Sequence, residues 1–241
     1  MKLHIHILLC GLALLMTQAS WAARPIGFAR STNVMVDYRQ DTMSEAQIFY
    51  APEQWFSFGL GYSELTTDIS ANHSITYARL NLLAKRWNME NAQANIFGWG
   101  GVGNIYIGPY DTLIDGIPDG HNHGGTPDPT TGKVPGINAS TYNAGGQIDF
   151  ETHRFYSSFS TDFFDSKLFW HRADTLQVGF SPYRHSADGL ATWLIVSGRN
   201  YSGVYEKSEL AFLLRLFKKR TWLEAGATTE GKIQALAMFN F

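Results

Sequence analysis

His121 and His123 stand one residue apart in the run Gly120-His121-Asn122-His123-Gly124-Gly125, with Asp115 and Asp119 just upstream. Imidazole and carboxylate donors grouped in this way suit a divalent metal ion. A His-x-His pair with no distal partner pair is a sparse ligand set, and a segment so rich in Gly, Pro and Asp has the composition of an exposed loop. His73 and His171 fall in other expected connections, so a shared site would need the fold to gather them. A hydrolase would need a nucleophile, a base and an orienting group to converge. Ser157, Ser158 and Ser160 with His153 or His171 are the available pieces, and none of the serines sits in a nucleophile-elbow sequence. The run Gly98-Trp99-Gly100-Gly101-Val102-Gly103 lies inside a strand pattern, where glycine serves bends and close packing rather than phosphate binding. Metal-nuclease, P-loop and zinc-finger spacings are absent. No catalytic residue and no cofactor follows from these motifs.

The elements that must position such residues are written in period two. Successive side chains of a strand point to opposite faces, so a wall between lipid and a polar lumen must alternate. Tyr142, Ala144, Gly146, Ile148 and Phe150 interleave with Asn143, Gly145, Gln147, Asp149 and Glu151. Phe56, Phe58, Leu60 and Tyr62 interleave with Ser57, Gly59, Gly61 and Ser63, and Leu210, Phe212, Leu214 and Leu216 with Glu209, Ala211, Leu213 and Arg215. Read this way, the sequence predicts an all-β chain of twelve strands, at 31–40, 44–50, 55–64, 74–86, 93–106, 139–151, 154–164, 174–182, 190–198, 207–217, 221–229 and 232–241. Alternation is weakest across 165–198, which makes ten strands the competing count. Gaps at 51–54, 87–92, 152–153, 183–189 and 218–220 are short; the others include 65–73, 165–173, 199–206 and the long 107–138. Short turns at one end and longer loops at the other are the habit of an up-and-down transmembrane barrel. Tyr38, Tyr62 and Phe163 near one rim, and Tyr50, Phe150 and Phe155 near the other, fit interfacial aromatic girdles.

The chain opens with Lys2, an apolar run from Ile7 to Met16, and Ser20-Trp21-Ala22 before Ala23. This is the layout of a cleaved signal peptide over 1–22, too short to cross a bilayer as a helix. Removing 22 residues from 241 leaves 219 (residues 23–241) as a single barrel domain. That part contains no cysteine, because Cys10 is the only one, so no disulfide framework staples it. Subtracting Lys2 from 19 basic residues leaves 18 against 21 acidic, a net charge of −3 that gives no electrostatic footing for nucleic acid.

In the last predicted strand Ile233, Ala235, Ala237, Phe239 and Phe241 put apolar or small residues at every second position. This resembles the C-terminal assembly signal of Gram-negative outer-membrane β-barrel proteins. The resemblance implies an outer-membrane location, lipid as the surrounding solvent, recognition by the barrel-assembly machinery, and a monomer. Counting inward positions then gives a lumen of mixed charge: Asp37, Arg39, Arg79, Lys85, Asp149, Glu151, Asp162, Arg215, Glu224 and Lys232. No ring of one sign is present, so the pattern selects neither anions nor cations. The leading functional expectation is a porin-like, non-catalytic barrel that passes or binds a small solute. The alternatives are a hydrolase or protease acting at the external rim, and a non-conducting barrel whose loops bind a partner or a metal. Fractionation of expressing cells should recover the protein in the outer membrane, heat-modifiable on gels; recovery as a soluble periplasmic protein would overturn the barrel reading.

Overall fold

The computed structural model describes residues 26, 28–66, 73–111, 128, 130–184, 189–204 and 206–241. The expected signal segment lies outside these residues, as do Asp115, Asp119, His121 and His123. The strands are β1 (Ser31–Arg39), β2 (Met43–Glu53), β3 (Phe56–Leu65), β4 (His73–Asn88), β5 (Ala92–Ile107), β6 (Tyr110–Asp111), β7 (Lys133–Val134), β8 (Ile137–Thr152), β9 (Phe155–Ser166), β10 (Trp170–Phe180), β11 (Ala191–Gly203), β12 (Lys207–Lys218), β13 (Thr221–Thr228) and β14 (Ile233–Asn240). Twelve of them close an antiparallel barrel in the order β1-β14-β13-β12-β11-β10-β9-β8-β5-β4-β3-β2, and β6 pairs β7 in a small separate ladder. Each barrel strand therefore neighbours the next in the chain, which is the up-and-down topology. Nearby, the Thr130 hydroxyl and amide donate to Asp128, holding that exposed carboxyl below its usual range.

Closure is made by residues near the two ends of the barrel chain. β1 pairs β14 from Asn33↔Asn240 to Arg39↔Gln234. Beyond the strand, the Thr32 and Phe241 backbones exchange two hydrogen bonds, of 3.1 and 2.8 Å. Ile233, Ala235, Ala237 and Phe239 form the outward row of β14, while Gln234, Met238 and Asn240 are buried on the inside. The outer wall is an apolar belt: Ile48, Leu60, Val102, Ile148, Leu176, Leu194 and Phe212 are each at least half exposed. Tyr38, Tyr62, Phe163, Tyr50, Phe150 and Phe155 are all exposed near the strand ends, as the girdle pattern requires. Strand spacing of about 4.8 Å with a tilt of about 40° gives a backbone diameter of about 24 Å for twelve strands. A lumen of that width is filled only if long side chains reach across it.

Three details depart from expectation. β4 carries a bulge, since Leu83 pairs Phe97 while Lys85 pairs Ile96. The extra residue reverses the facing below it, so Lys85 lies exposed with its ammonium 5.9 Å from the Trp87 ring, and Arg86 takes the inward position. β10 begins four residues before the expected 174, and β11 runs five past the expected 198. The loop expected at 165–173 thus shrinks to 167–169. At the rim carrying both termini, the connection 181–190 is longer than several at the opposite, loop-bearing rim, so the two rims are less sorted by loop length than the sequence suggests.

The belt makes a depth-dependent prediction. Leu214 sits midway along β12, whereas Phe155 begins β9 at the terminal rim. Leu214→Arg should cost about 2–4 kcal/mol of folding stability in lipid and Phe155→Arg about 0–1. Denaturant titration in liposomes measures both; equal costs would show that this face does not meet hydrocarbon.

Candidate functional site in the barrel lumen

The inner face divides into apolar and polar zones. Toward the loop rim, Leu65, Ile75, Ile105, Ile107, Val134, Phe164, Leu168, Phe169 and Val204 pack together inside the mouth. Toward the terminal rim, Tyr156, Trp193, Leu213, Phe217, Trp222 and Met238 form a second cluster. Ile26, ahead of β1, tucks in against Ala51 and Phe97 as a third. Between them lies a cavity of about 200 Å³, touched by Phe49 of the first cluster and by Tyr156, Leu213 and Met238 of the second.

Four arginines and four carboxylates line this cavity: Arg39, Arg79, Arg199 and Arg215 with Asp37, Glu45, Asp162 and Glu224. Three pairs form directly. Arg39 bonds Asp37 two positions away on the same face of β1. Arg79 Nη1 donates to Asp162 at 3.1 Å and Nη2 to Gln47 at 3.3 Å. Arg215 Nε donates to Glu224 at 2.6 Å and Nη2 to Gln177 at 2.7 Å. The guanidinium of Arg79 lies 5.1–5.5 Å from the ring centres of Phe49, Tyr77 and Trp99. That of Arg215 lies 4.8 Å from Tyr156 and 4.5 Å from Trp222. A guanidinium is weakly hydrated and planar, so it tolerates such ring-lined burial where an ammonium would not.

Asp162 also accepts from Trp99 Nε1 at 3.1 Å and Asn143 Nδ2 at 2.6 Å, which fills out a carboxylate that water no longer reaches fully. Glycines make room for these rings. A Cβ at Gly61 would lie 2.2 Å from the Tyr77 ring, and one at Gly145 would lie 2.4 Å from Trp99 Nε1.

The fourth arginine and the fourth carboxylate are different. Arg199 donates to the hydroxyls of Thr175 at 3.0 Å and Tyr201 at 3.4 Å. Glu45 accepts from Ser63 at 2.8 Å and Tyr77 at 2.7 Å, both on the same oxygen. Among the described residues neither has an opposite charge within 4.0 Å.

Polar contacts extend from the cavity to both rims. Upward, Gln234 lines the cavity and donates to Glu209 at 3.2 Å, and Glu209 accepts from Thr42 at 2.9 Å and Lys207 at 2.7 Å beside the loop rim. Downward, Gln147 lines the cavity and donates to Asp149 at 3.2 Å; Asn95 donates to Asp149 at 2.6 Å and accepts from Arg86 at 2.8 Å near the terminal rim. The two lanes leave on different sides, from β14 to β12 and the β1–β2 turn above and along β4, β5 and β8 below, where the third apolar cluster lies beside the lane.

Of the charges expected inside, Asp37, Arg39, Arg79, Asp162, Arg215 and Glu224 meet at the cavity, and Asp149 and Glu151 are buried in the lower lane. Lys85 faces out, and Lys232 stands in the β13–β14 turn, 3.6 Å from Asp41 and 3.7 Å from Glu230. Sequence reasoning missed Glu45, Arg86, Arg199, Lys207 and Glu209. Glu45 is recoverable from its alternation with Ala46, Ile48 and Tyr50. Arg199 is hidden because the expected strand stops at 198 and leaves it in a connection, whereas β11 runs on to Gly203. Ser158 and Ser160 line the lumen, whereas His153 lies at the terminal rim and His171 near the loop rim, its ring stacked 5.9 Å from Tyr201. Ser158 and Ser160 thus stand partway along the lumen and the two histidines near its rims, and the described residues contain no group of three or more metal-ligating side chains. His73 packs against Phe169 at 5.7 Å inside the upper cluster.

No protein-family model matches the chain, and no curated protein is similar to it in sequence. Among solved structures it is similar to OmpT (in-vitro folded), an outer membrane protein of Vibrio cholerae, at 7% identity over 88% of this chain and 96% of that one, with a TM-score of 0.30. The loop L8 deletion mutant of the same protein gives 8% identity over 88% and 97%, with a TM-score of 0.32.

The Arg215–Glu224 pair gives a stability test, because its side chains are 1% and 9% exposed. Arg215→Met leaves Glu224 charged and unpaired and should cost about 3–5 kcal/mol. Adding Glu224→Leu should restore most of that loss. Urea unfolding followed by tryptophan fluorescence compares the three proteins; a single variant as stable as the parent would mean that the pair does not hold the lumen together.

Proposed function

We propose that the chain is a Gram-negative outer-membrane barrel whose lumen passes or holds a small polar solute without catalysis. The observation that carries this is the polar route itself, from Lys207 and Glu209 at one rim, through the cavity, to Asp149, Asn95 and Arg86 at the other. A lumen evolved only as a plug has no need of polar side chains reaching both mouths, since apolar packing of similar volume is as stable or more so. The apolar outer belt and the lipid-facing row of β14 support residence in a bilayer, with the barrel-assembly machinery as the partner in biogenesis. The lumen is complete within one chain, which supports a working monomer.

Cavity size bounds the solute. About 200 Å³ is smaller than the roughly 300–1,000 Å³ of sites for drug-sized ligands, so the solute has few heavy atoms. The paired charges along the route must part or slide as it moves, so a permeant group has to replace their hydrogen bonds. A wide aqueous channel is not the expected behaviour. Proteoliposome swelling should show entry of glycerol-sized solutes and exclusion of a disaccharide, with small conductance steps in planar bilayers. Rapid entry of a disaccharide would refute the narrow lumen, and neither entry nor saturable binding of any small polar solute would refute the reading altogether.

A further inference from the structure

Eight charges line the cavity, and the three direct pairs account for six of them. The remaining two are of opposite sign and sit on well-separated strands. Arg199 is on β11 and Glu45 on β2, five strands apart around a ring of twelve, where six is the farthest two strands can be. Asp37 and Glu209 act on Arg199 electrostatically from beyond 4.0 Å, and each is held in a direct pair of its own, with Arg39 and Lys207. Arg79 and Arg39 act on Glu45 in the same way, and each is in a direct pair, with Asp162 and Asp37. Hydroxyls take up part of each leftover group: Arg199 holds Thr175 and Tyr201, and Glu45 holds Ser63 and Tyr77 through a single oxygen. Buried or half-buried charges are costly unless an opposite charge meets them, and hydroxyls do not supply one.

From this arrangement we infer that the lumen cavity is a recognition site for a small zwitterion whose two charges are set apart by a short spacer. Its anionic group lies on Arg199 and its cationic group on Glu45. The guanidinium offers a planar fork suited to a carboxylate, and the second Glu45 oxygen suits an ammonium. Equal numbers of lining arginines and carboxylates balance in formal charge, so a solute bearing one charge leaves a net charge in the lumen while a zwitterion does not. The cavity volume sets the length of the spacer, and the placement on well-separated walls disfavours a solute whose charges are adjacent. No bond is made or broken. This inference rests on the small-solute reading above and names the class of solute.

Calorimetry on the detergent-folded protein tests it with four probes built on a four-carbon chain: γ-aminobutyrate, butyrate, butylammonium and butyramide. γ-Aminobutyrate should bind tightest, with each singly charged probe roughly tenfold to a hundredfold weaker. Arg199→Gln should bring γ-aminobutyrate down to the level of butylammonium, and Glu45→Gln should bring it down to that of butyrate, with both variants still heat-modifiable. Arg199→Lys serves where the glutamine variant fails to fold, and should keep the preference for the zwitterion in weakened form. Equal affinity of the parent for all four probes overturns the inference, as does a zwitterion preference that survives both charge-removing variants. If butyramide binds, or glycerol enters liposomes, while γ-aminobutyrate has no advantage, only the zwitterion falls. If no probe binds and no solute enters, the small-solute reading falls with it.

Discussion

A backbone N–H or C=O that meets hydrocarbon without a partner costs several kcal/mol, and an open twelve-stranded sheet would present two edges lined with them. The β1–β14 ladder removes both edges, and the rest of the molecule follows from that closure. It fixes which residues of every strand face inward, and it sets a lumen too wide for one layer of aliphatic side chains. The terminal residue takes part directly, through the backbone pairing of Phe241 with Thr32.

Filling that lumen is the second problem, and the chain solves it with two materials. Trp, Phe, Ile and Leu fill the lumen near the rims, where they bury apolar area. Arginine bridges the middle, because its long stem spans distance and its flat head lies against rings while donating to carboxylates on other strands. Gly61 and Gly145 belong to the same solution, since they clear the wall where Tyr77 and Trp99 lie against it. What this packing leaves over is a small cavity, two polar lanes and one charge of each sign outside a direct ion pair.

Position along the polar route and position in the core therefore serve different ends. Residues such as Arg215 and Glu224 satisfy each other and stabilise the barrel. Arg199 and Glu45 are held by hydroxyls, which orient a charge without cancelling it. That difference separates structural ions from recognition ions in a lumen where all eight look alike by residue type.

Alternation, with the sorting of the connections and the pattern of the last strand, pointed to an antiparallel barrel of twelve strands with ten as the competing count, and the structure closes twelve, because facing is decided locally wherever the two sides of a wall demand opposite chemistry. It placed Asp37, Arg79, Asp162, Arg215 and Glu224 inside for the same reason. It failed at Lys85, where the bulge beside Leu83 inserts one residue and reverses parity, and at Arg199, which lies past the expected strand end at 198 but inside β11. Which charges meet was not legible at all. Arg79 and Asp162 are 83 residues apart in the chain and lie on β4 and β9, and their contact depends on shear, ring packing and the reach of side chains across the lumen. Only the closed tertiary structure decides that three pairs form and that Arg199 and Glu45 remain, because pairing is a property of distances through the lumen rather than of order along a strand.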